Sequence, residues 1–167
     1  MAGRMLSGGL CEGIRAMRIS AKADYAVRAV AELSDKGDEP TKGEQIAEAQ
    51  SIPLQFLEQI LLELKHARLV RARRGAKGGY WLSKEPEEIT LADVIRAVEG
   101  PLANIQDDAP ETTSYPGNAE PLTKVWIAVR SSLREVLEEV TVADLRDGNL
   151  PKVVGRLADE PGAWETR

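Results

Sequence analysis

The sequence has one cysteine, Cys11, and one histidine, His66, in 167 residues. A lone cysteine cannot close an internal disulfide, and so few soft ligands cannot build a zinc or thiolate site within one chain. There is no Ser/His/Asp set and no Cys/His pair in one domain, and His66 is the one imidazole in the sequence. No enzymatic activity, metal or cofactor is therefore expected. Aromatic residues make up only 4%. The longest unbroken apolar run is Val125–Val129, far short of the roughly 18 to 20 residues that cross a bilayer. The stretch Met1 to Ala16 has no apolar centre of the length a secretory signal requires. The sequence therefore predicts a cytoplasmic protein with no membrane partner.

What is present is a foldable composition, 43% apolar and 29% charged, at a length that fits one compact domain with an appendage. The net charge of −5 hides a segregation. Residues 17–85 carry 12 Lys and Arg against 10 Asp and Glu, whereas residues 86–167 carry 8 against 16. Between Lys65 and Lys84 lie Lys65, Arg68, Arg71, Arg73, Arg74, Lys77 and Lys84 with no acidic residue. Such a run wants an anionic partner, although a solvated face has the same composition.

Met1 to Ala16 shows no helical period and reads as a disordered extension or a misassigned start, with Met17, just before the first structured element, as the expected true start. Ser20 is an N-cap candidate ahead of an apolar stripe at Tyr25, Val27, Val30 and Leu33. Thr41-Lys42-Gly43-Glu44 reads as a capping box opening a short helix to Gln50. After Ser51-Ile52-Pro53 a second helix places Phe56, Leu57, Ile60, Leu61 and Leu64 on its apolar side. Two short helices split by a tight turn are a helix-turn-helix. Leu69 to Arg73, a glycine-rich turn Gly75 to Gly79, and Tyr80-Trp81-Leu82 form a hairpin with a basic tip. No Gly-Lys-Ser/Thr follows, so the turn is not a nucleotide phosphate loop.

Thr90 opens another helix that Gly100-Pro101 ends. Residues 101–120 then read as a long loop. Leu122, Trp126, Val129, Leu133, Val136 and Val140 are spaced four and three apart, an a/d seam that seeks a partner helix or packs on the chain's own core. A homodimer is the favoured reading. Thr141 caps a last short helix, and residues 148–167 read as a flexible tail. The fold class is mainly α with a small β-hairpin wing. Residues 17–100 form a winged helix-turn-helix domain, 101–120 a long loop of the functional or disordered kind, and 121–147 a seam helix with a short helix.

These segments resemble the Rrf-type winged-helix regulators, which include iron–sulfur, nitric-oxide-sensing and cysteine-metabolism members. The likeness is carried by Met17-Arg18-Ile19-Ser20 with Lys22 and Tyr25-Ala26-Val27, and by Phe56-Leu57-Glu58-Gln59-Ile60 with Leu69-Val70. Arg74-Gly75, Gly78-Gly79-Tyr80 and Ile89-Thr90-Leu91-Ala92-Asp93-Val94-Ile95 add to it. It implies a homodimeric transcriptional regulator, expected to be a repressor, that reads a palindromic operator in double-stranded DNA, with 101–120 as an effector loop just before the dimerisation helix of 121–147. Carried over by residue, Lys22, Tyr25, Gln55, Phe56, Glu58, Gln59, Arg71, Arg73, Arg74, Lys77, Gly78 and Tyr80 make the DNA-contacting set. In it Arg74 enters the minor groove from the wing. Glu58 suits a cytosine amine and Gln55 or Gln59 an adenine edge, while Arg71, Arg73 and Lys77 suit phosphates. Phe56 is either a core residue or a DNA-facing one.

Cluster-binding relatives have three cysteines in the loop corresponding to Leu102 to Glu120, and this chain has none there, so no iron–sulfur cluster is expected. Asp24 and Arg28 occupy ligand positions of other members, but Asp24 alone cannot hold iron. The thiol-free loop after Glu99-Gly100-Pro101-Leu102 is similar to the cysteine-metabolism type, which implies sulfur-gene targets and a cysteine-synthesis enzyme as a partner. The alternative is a protein-interaction module that docks on a metabolic enzyme without reading DNA.

Overall fold

The first helix, α1 (Ala21–Ser34), starts where the sequence predicts, with the Ser20 hydroxyl accepting from the Ala23 amide at 3.0 Å. The computed structural model describes residues 19–103 and 109–165. The expected extension at Met1 to Ala16, with Cys11 in it, lies outside the described residues. In α1, Ala26, Ala29, Val30 and Leu33 are buried, and Tyr25 and Val27 pack against them half-buried. The small alanines let neighbouring helices approach closely.

Helix α2 (Gly43–Gln50) is capped by Lys42 and not by Thr41. The Lys42 amide donates to the Gln45 side chain at 2.9 Å. Thr41 is instead buried, because its backbone pairs with Tyr80 of the hairpin. The turn into α3 (Leu54–His66) passes through Ser51 in the left-handed region at φ 52°. On α3 the buried residues are Leu57, Ile60, Leu61 and Leu64. Phe56 is 65% exposed, which corrects the expectation that it joins this stripe. It sits one residue, about 100° of helix rotation, away from Leu57.

Strands β1 (Val70–Arg73) and β2 (Gly79–Leu82) pair antiparallel, Val70 with Leu82 and Arg73 with Gly79. Helix α4 (Leu91–Glu99) carries the predicted box, with Thr90 and Asp93 exchanging side chain-to-amide bonds of 3.1 Å. Helix α5 (Leu122–Leu137) follows two short 3-10 turns, Pro110–Thr112 and Gly117–Ala119. The second turn lies within the expected effector loop, as does the first, whose Pro110 is fully buried.

Helix α6 (Val142–Asp147) returns the chain to the winged domain. The Leu91 amide donates to the Val140 carbonyl and the Val142 amide to the Ile89 carbonyl, both at 2.9 Å. Val142 enters the same core as Leu33 and Leu64. Val140 is thus outside α5 and 3% exposed within its own chain, which removes it from the expected helix seam. Where a flexible tail was expected, residues 152–158 form α7 (Lys152–Ala158) after Pro151, with Val153 buried and Arg156 paired to Glu135 of α5. Burial of Val153 and the Arg156–Glu135 pair hold this helix despite the flanking glycine and prolines. The result is a mainly helical fold with one two-stranded hairpin. Among the described residues no helix is long and apolar enough to cross a membrane.

Candidate nucleic-acid interface

Packing fixes which side of α3 faces out. With Leu57, Ile60, Leu61 and Leu64 buried, the side chains of Gln55, Phe56, Glu58, Gln59 and Leu62 are exposed. Four of these are expected base-facing residues. Leu62, 43% exposed, was not singled out from the sequence, since an apolar residue beside an apolar stripe reads as core.

The hairpin is attached to the helix-turn-helix by backbone. Thr41 and Tyr80 exchange amide-to-carbonyl bonds of 2.9 and 2.8 Å, so the segment before α2 acts as a short third strand. At the tip the Gly78 amide donates to the Gly75 carbonyl at 2.9 Å, closing the turn. The Lys42 ammonium also donates to the Gly75 carbonyl, at 2.8 Å, and the Arg73 guanidinium to the Lys77 carbonyl at 2.9 Å. These bonds tie the wing to the start of α2 and brace its tip. Lys42 is a residue the sequence reading missed as a wing anchor, because the bond joins positions 33 residues apart.

A groove between α3 and the wing is lined by Lys42, Glu58, Leu62, Lys65, Arg73 and Arg74, among others. Lys65, Arg71, Arg73, Arg74 and Lys77 are exposed and form no ion pair among the described residues. Unpaired guanidinium and ammonium groups beside outward-facing amide and carboxylate side chains can do two things. The cations can neutralise phosphates, and the α3 side chains can reach base edges in a major groove.

The rest of the expected set sits differently. Gly78 is buried, and a Cβ there would collide with the Arg73 carbonyl, so this glycine shapes the wing and offers no side chain to DNA. Tyr80 is half-buried against the core. Tyr25 is half-buried with the Arg28 guanidinium 5.5 Å from its ring centre. Lys22 is bonded to Glu63 of α3 at 2.7 Å.

Partial burial pushes the Glu63 carboxyl up, but the Lys22 ammonium, the Gln59 amide and His66 outweigh this and hold it below its ordinary value of 4.5. A carboxyl depressed on folding stabilises the protein above its unfolded value and loses that contribution as pH falls through the lowered folded value. Glu63→Gln is therefore expected to lower stability at pH 7, where that contribution is present, to change little well below about pH 4.5, and so to flatten part of the loss on acidification. Urea denaturation at the two pH values checks this. An unchanged acid profile would show that the Lys22 bond contributes nothing.

Comparisons with known proteins agree with this architecture. The Rrf2 family, described as an iron-dependent transcriptional regulator, matches residues 19–148. The chain is similar to Rv1287 of Mycobacterium tuberculosis, named among HTH-type transcriptional regulators, with 47% identity over 90% of this chain and 94% of that one. It is also similar to the HTH-type transcriptional regulator CymR of Bacillus subtilis, with 38% identity over 77% of this chain and 89% of that one. The solved structure of CymR, described as the global cysteine regulator of B. subtilis, matches with a TM-score of 0.67 and 34% identity, covering 80% of this chain and 99% of that one. The T. potens IscR structure matches at 0.63, also with 34% identity, covering 80% and 89%.

Iron in the family description calls for a test against this chain's own donors. Residues 101–120 contain no cysteine. Asp24 is engaged by Arg28 at 3.0 Å, and among the described residues no three His, Cys, Asp or Glu side chains form a metal-holding group. The donor set does not fit an iron–sulfur cluster. The helix-turn-helix, the hairpin wing, the match across residues 19–148 and the relatives at 47% and 38% identity place this chain in the Rrf2 family of DNA-binding transcriptional regulators.

Proposed function

We propose that the chain is a homodimeric repressor that reads a palindromic operator, one half-site per protomer, and controls genes of sulfur or cysteine metabolism without an iron–sulfur cluster. The observation that carries this reading is the groove between α3 and the wing. There the exposed Glu58 lines the groove with the unpaired cations Lys65, Arg73 and Arg74, and Gln55 and Gln59 are exposed on the same helix. The α3 residues would read base edges in the major groove, and Arg74 would enter the minor groove from the wing tip.

Helix α5 supports a second copy of the chain. It has 16 residues, and none of them is buried. Leu122, Trp126, Val129, Leu133 and Val136 are half-buried, while Val125 is 50% and Ile127 39% exposed. The Trp126 indole N–H is shielded from solvent with no acceptor. A helix this apolar, only partly covered by its own chain, is completed by a partner helix. In the dimer the two copies of α3 would lie about one duplex turn, roughly 34 Å, apart.

The sulfur assignment rests on the likeness to CymR and on the thiol-free loop after Glu99-Gly100-Pro101-Leu102. A cysteine-synthesis enzyme is the proposed regulatory partner. Footprinting of genomic fragments with the purified protein, then titration of the protected site with and without that enzyme, tests the whole reading. The expected result is a protected palindrome upstream of sulfur genes, bound with an affinity the enzyme changes. Protection elsewhere would overturn the sulfur assignment, and no protection at low salt would overturn the operator reading.

A further inference from the structure

The hairpin has an outer side that the groove between α3 and the wing does not use. Along β1, Arg71 projects opposite Trp81 of β2. Around that pair run Lys65, Arg68 and Lys84, and together these residues line an open groove containing no carboxylate. Lys65, Arg68, Arg71 and Lys84 are all exposed, and none forms an ion pair among the described residues. Acidic residues border the patch: Asp38 and Glu85 line a neighbouring pocket with Arg71 and Lys84, Asp93 one with Lys84, and Glu58 the α3–wing groove with Lys65.

Local structural needs explain only part of this set of cations. The C-terminal dipole of α3 favours positive charge at Lys65, His66 and Arg68. It does not reach Arg71 on the strand or Lys84 beyond it. Arg68 moreover holds a left-handed backbone at φ 60° just after the helix, where glycine is the usual occupant. Lys65 borders both this groove and the one between α3 and the wing. The positive surface is therefore continuous around the end of α3.

We propose that this outer face, Lys65, Arg68, Arg71 and Lys84 around Trp81, is a second contact for duplex DNA, holding the phosphate backbone outside the base pairs read by α3 and the wing. The proposal rests on the operator reading above. A duplex backbone is the occupant the chemistry favours, because it presents a line of evenly spaced anions to a line of unpaired cations. Contacts of this kind add affinity and salt dependence without adding sequence preference.

The experiment compares a minimal operator duplex with one carrying about ten extra base pairs on each side, an additional turn of the helix. Wild-type protein is expected to bind the longer duplex roughly tenfold more tightly, whatever the flanking sequence, because the added phosphates release further counterions. The Arg68→Gln/Lys84→Gln double variant is expected to bind the minimal duplex as wild type does and to lose the gain from length. On the long duplex the slope of log affinity against log salt should fall by about 3 to 4 for the dimer. Equal wild-type affinity for the two lengths would overturn the proposal without any variant. So would a variant that keeps the full gain and slope. Failure of the wild type to bind either duplex would overturn the operator reading itself, a separate outcome. Capture of an acidic protein by this face, with no effect of duplex length, would assign it to a protein partner instead.

Discussion

Gly79→Val is expected to lower stability by about 3 kcal/mol and operator affinity by roughly 100-fold or more. Gly79 has φ 155°, and a Cβ there would lie 2.6 Å from the Thr41 carbonyl oxygen. That oxygen cannot retreat, because it accepts from the Tyr80 amide at 2.8 Å. Adding a side chain must break the Thr41–Tyr80 bridge or swing the hairpin, and either result detaches the wing from the helix-turn-helix. The DNA effect follows because Arg73 and Arg74 would no longer border the groove beside α3. Gly75→Ala is the control: its φ of 103° is also unfavourable for alanine, but nothing lies within 4 Å of the added Cβ. It should cost about 1 kcal/mol and leave the bridge intact. Urea denaturation and a gel-shift titration of both variants check this. Equal effects for the two would show that the Thr41 contact does not hold the wing in place.

Operator affinity is expected to fall about 10³- to 10⁵-fold between roughly 50 and 200 mM salt, as for proteins that neutralise some 6 to 10 phosphates. This is expected despite a net charge of −5. Beyond about 10 Å charges are largely screened at 0.1 M salt, so the bound phosphates respond to the local cations and little to the acidic C-terminal half. Lys65, Arg71, Arg73, Arg74 and Lys77 provide such cations in each protomer, free of ion pairs among the described residues. Arg74→Ala/Lys77→Ala should reduce the slope by about 4 for a dimer. A nearly flat salt response would show that the exposed basic hairpin does not meet DNA.

Legibility in the sequence followed how local the deciding interaction is. The caps at Ser20, Thr90 and Thr141 involve residues three apart, and each forms as predicted. The apolar spacing of Leu57, Ile60, Leu61 and Leu64 likewise fixes the outward side of α3, and with it the exposure of Gln55, Glu58 and Gln59. Errors arose where a distant segment competes. Thr41 has the right neighbours for a cap, but the hairpin claims its backbone. Val140 continues the heptad spacing, yet the start of α4 claims it. The close approach of the Arg73 backbone to Gly78 is likewise set by the folded hairpin. Lys42 could not be read as a wing anchor until the hairpin was folded back upon it.

The claim that the exposed side of α3 reads bases has a direct test at Glu58, which is exposed on α3 and lines the groove with Arg74. Wild-type protein and Glu58→Ala would be titrated against the protected operator and each of its single base-pair substitutions. Wild type is expected to lose about 1–3 kcal/mol at one C·G pair in each half-site, the cost of losing a well-made base contact. The variant should accept every base pair there while keeping discrimination elsewhere and an unchanged salt slope. Identical base preferences for the two proteins at every position would contradict the assignment of α3 as the element that reads the operator.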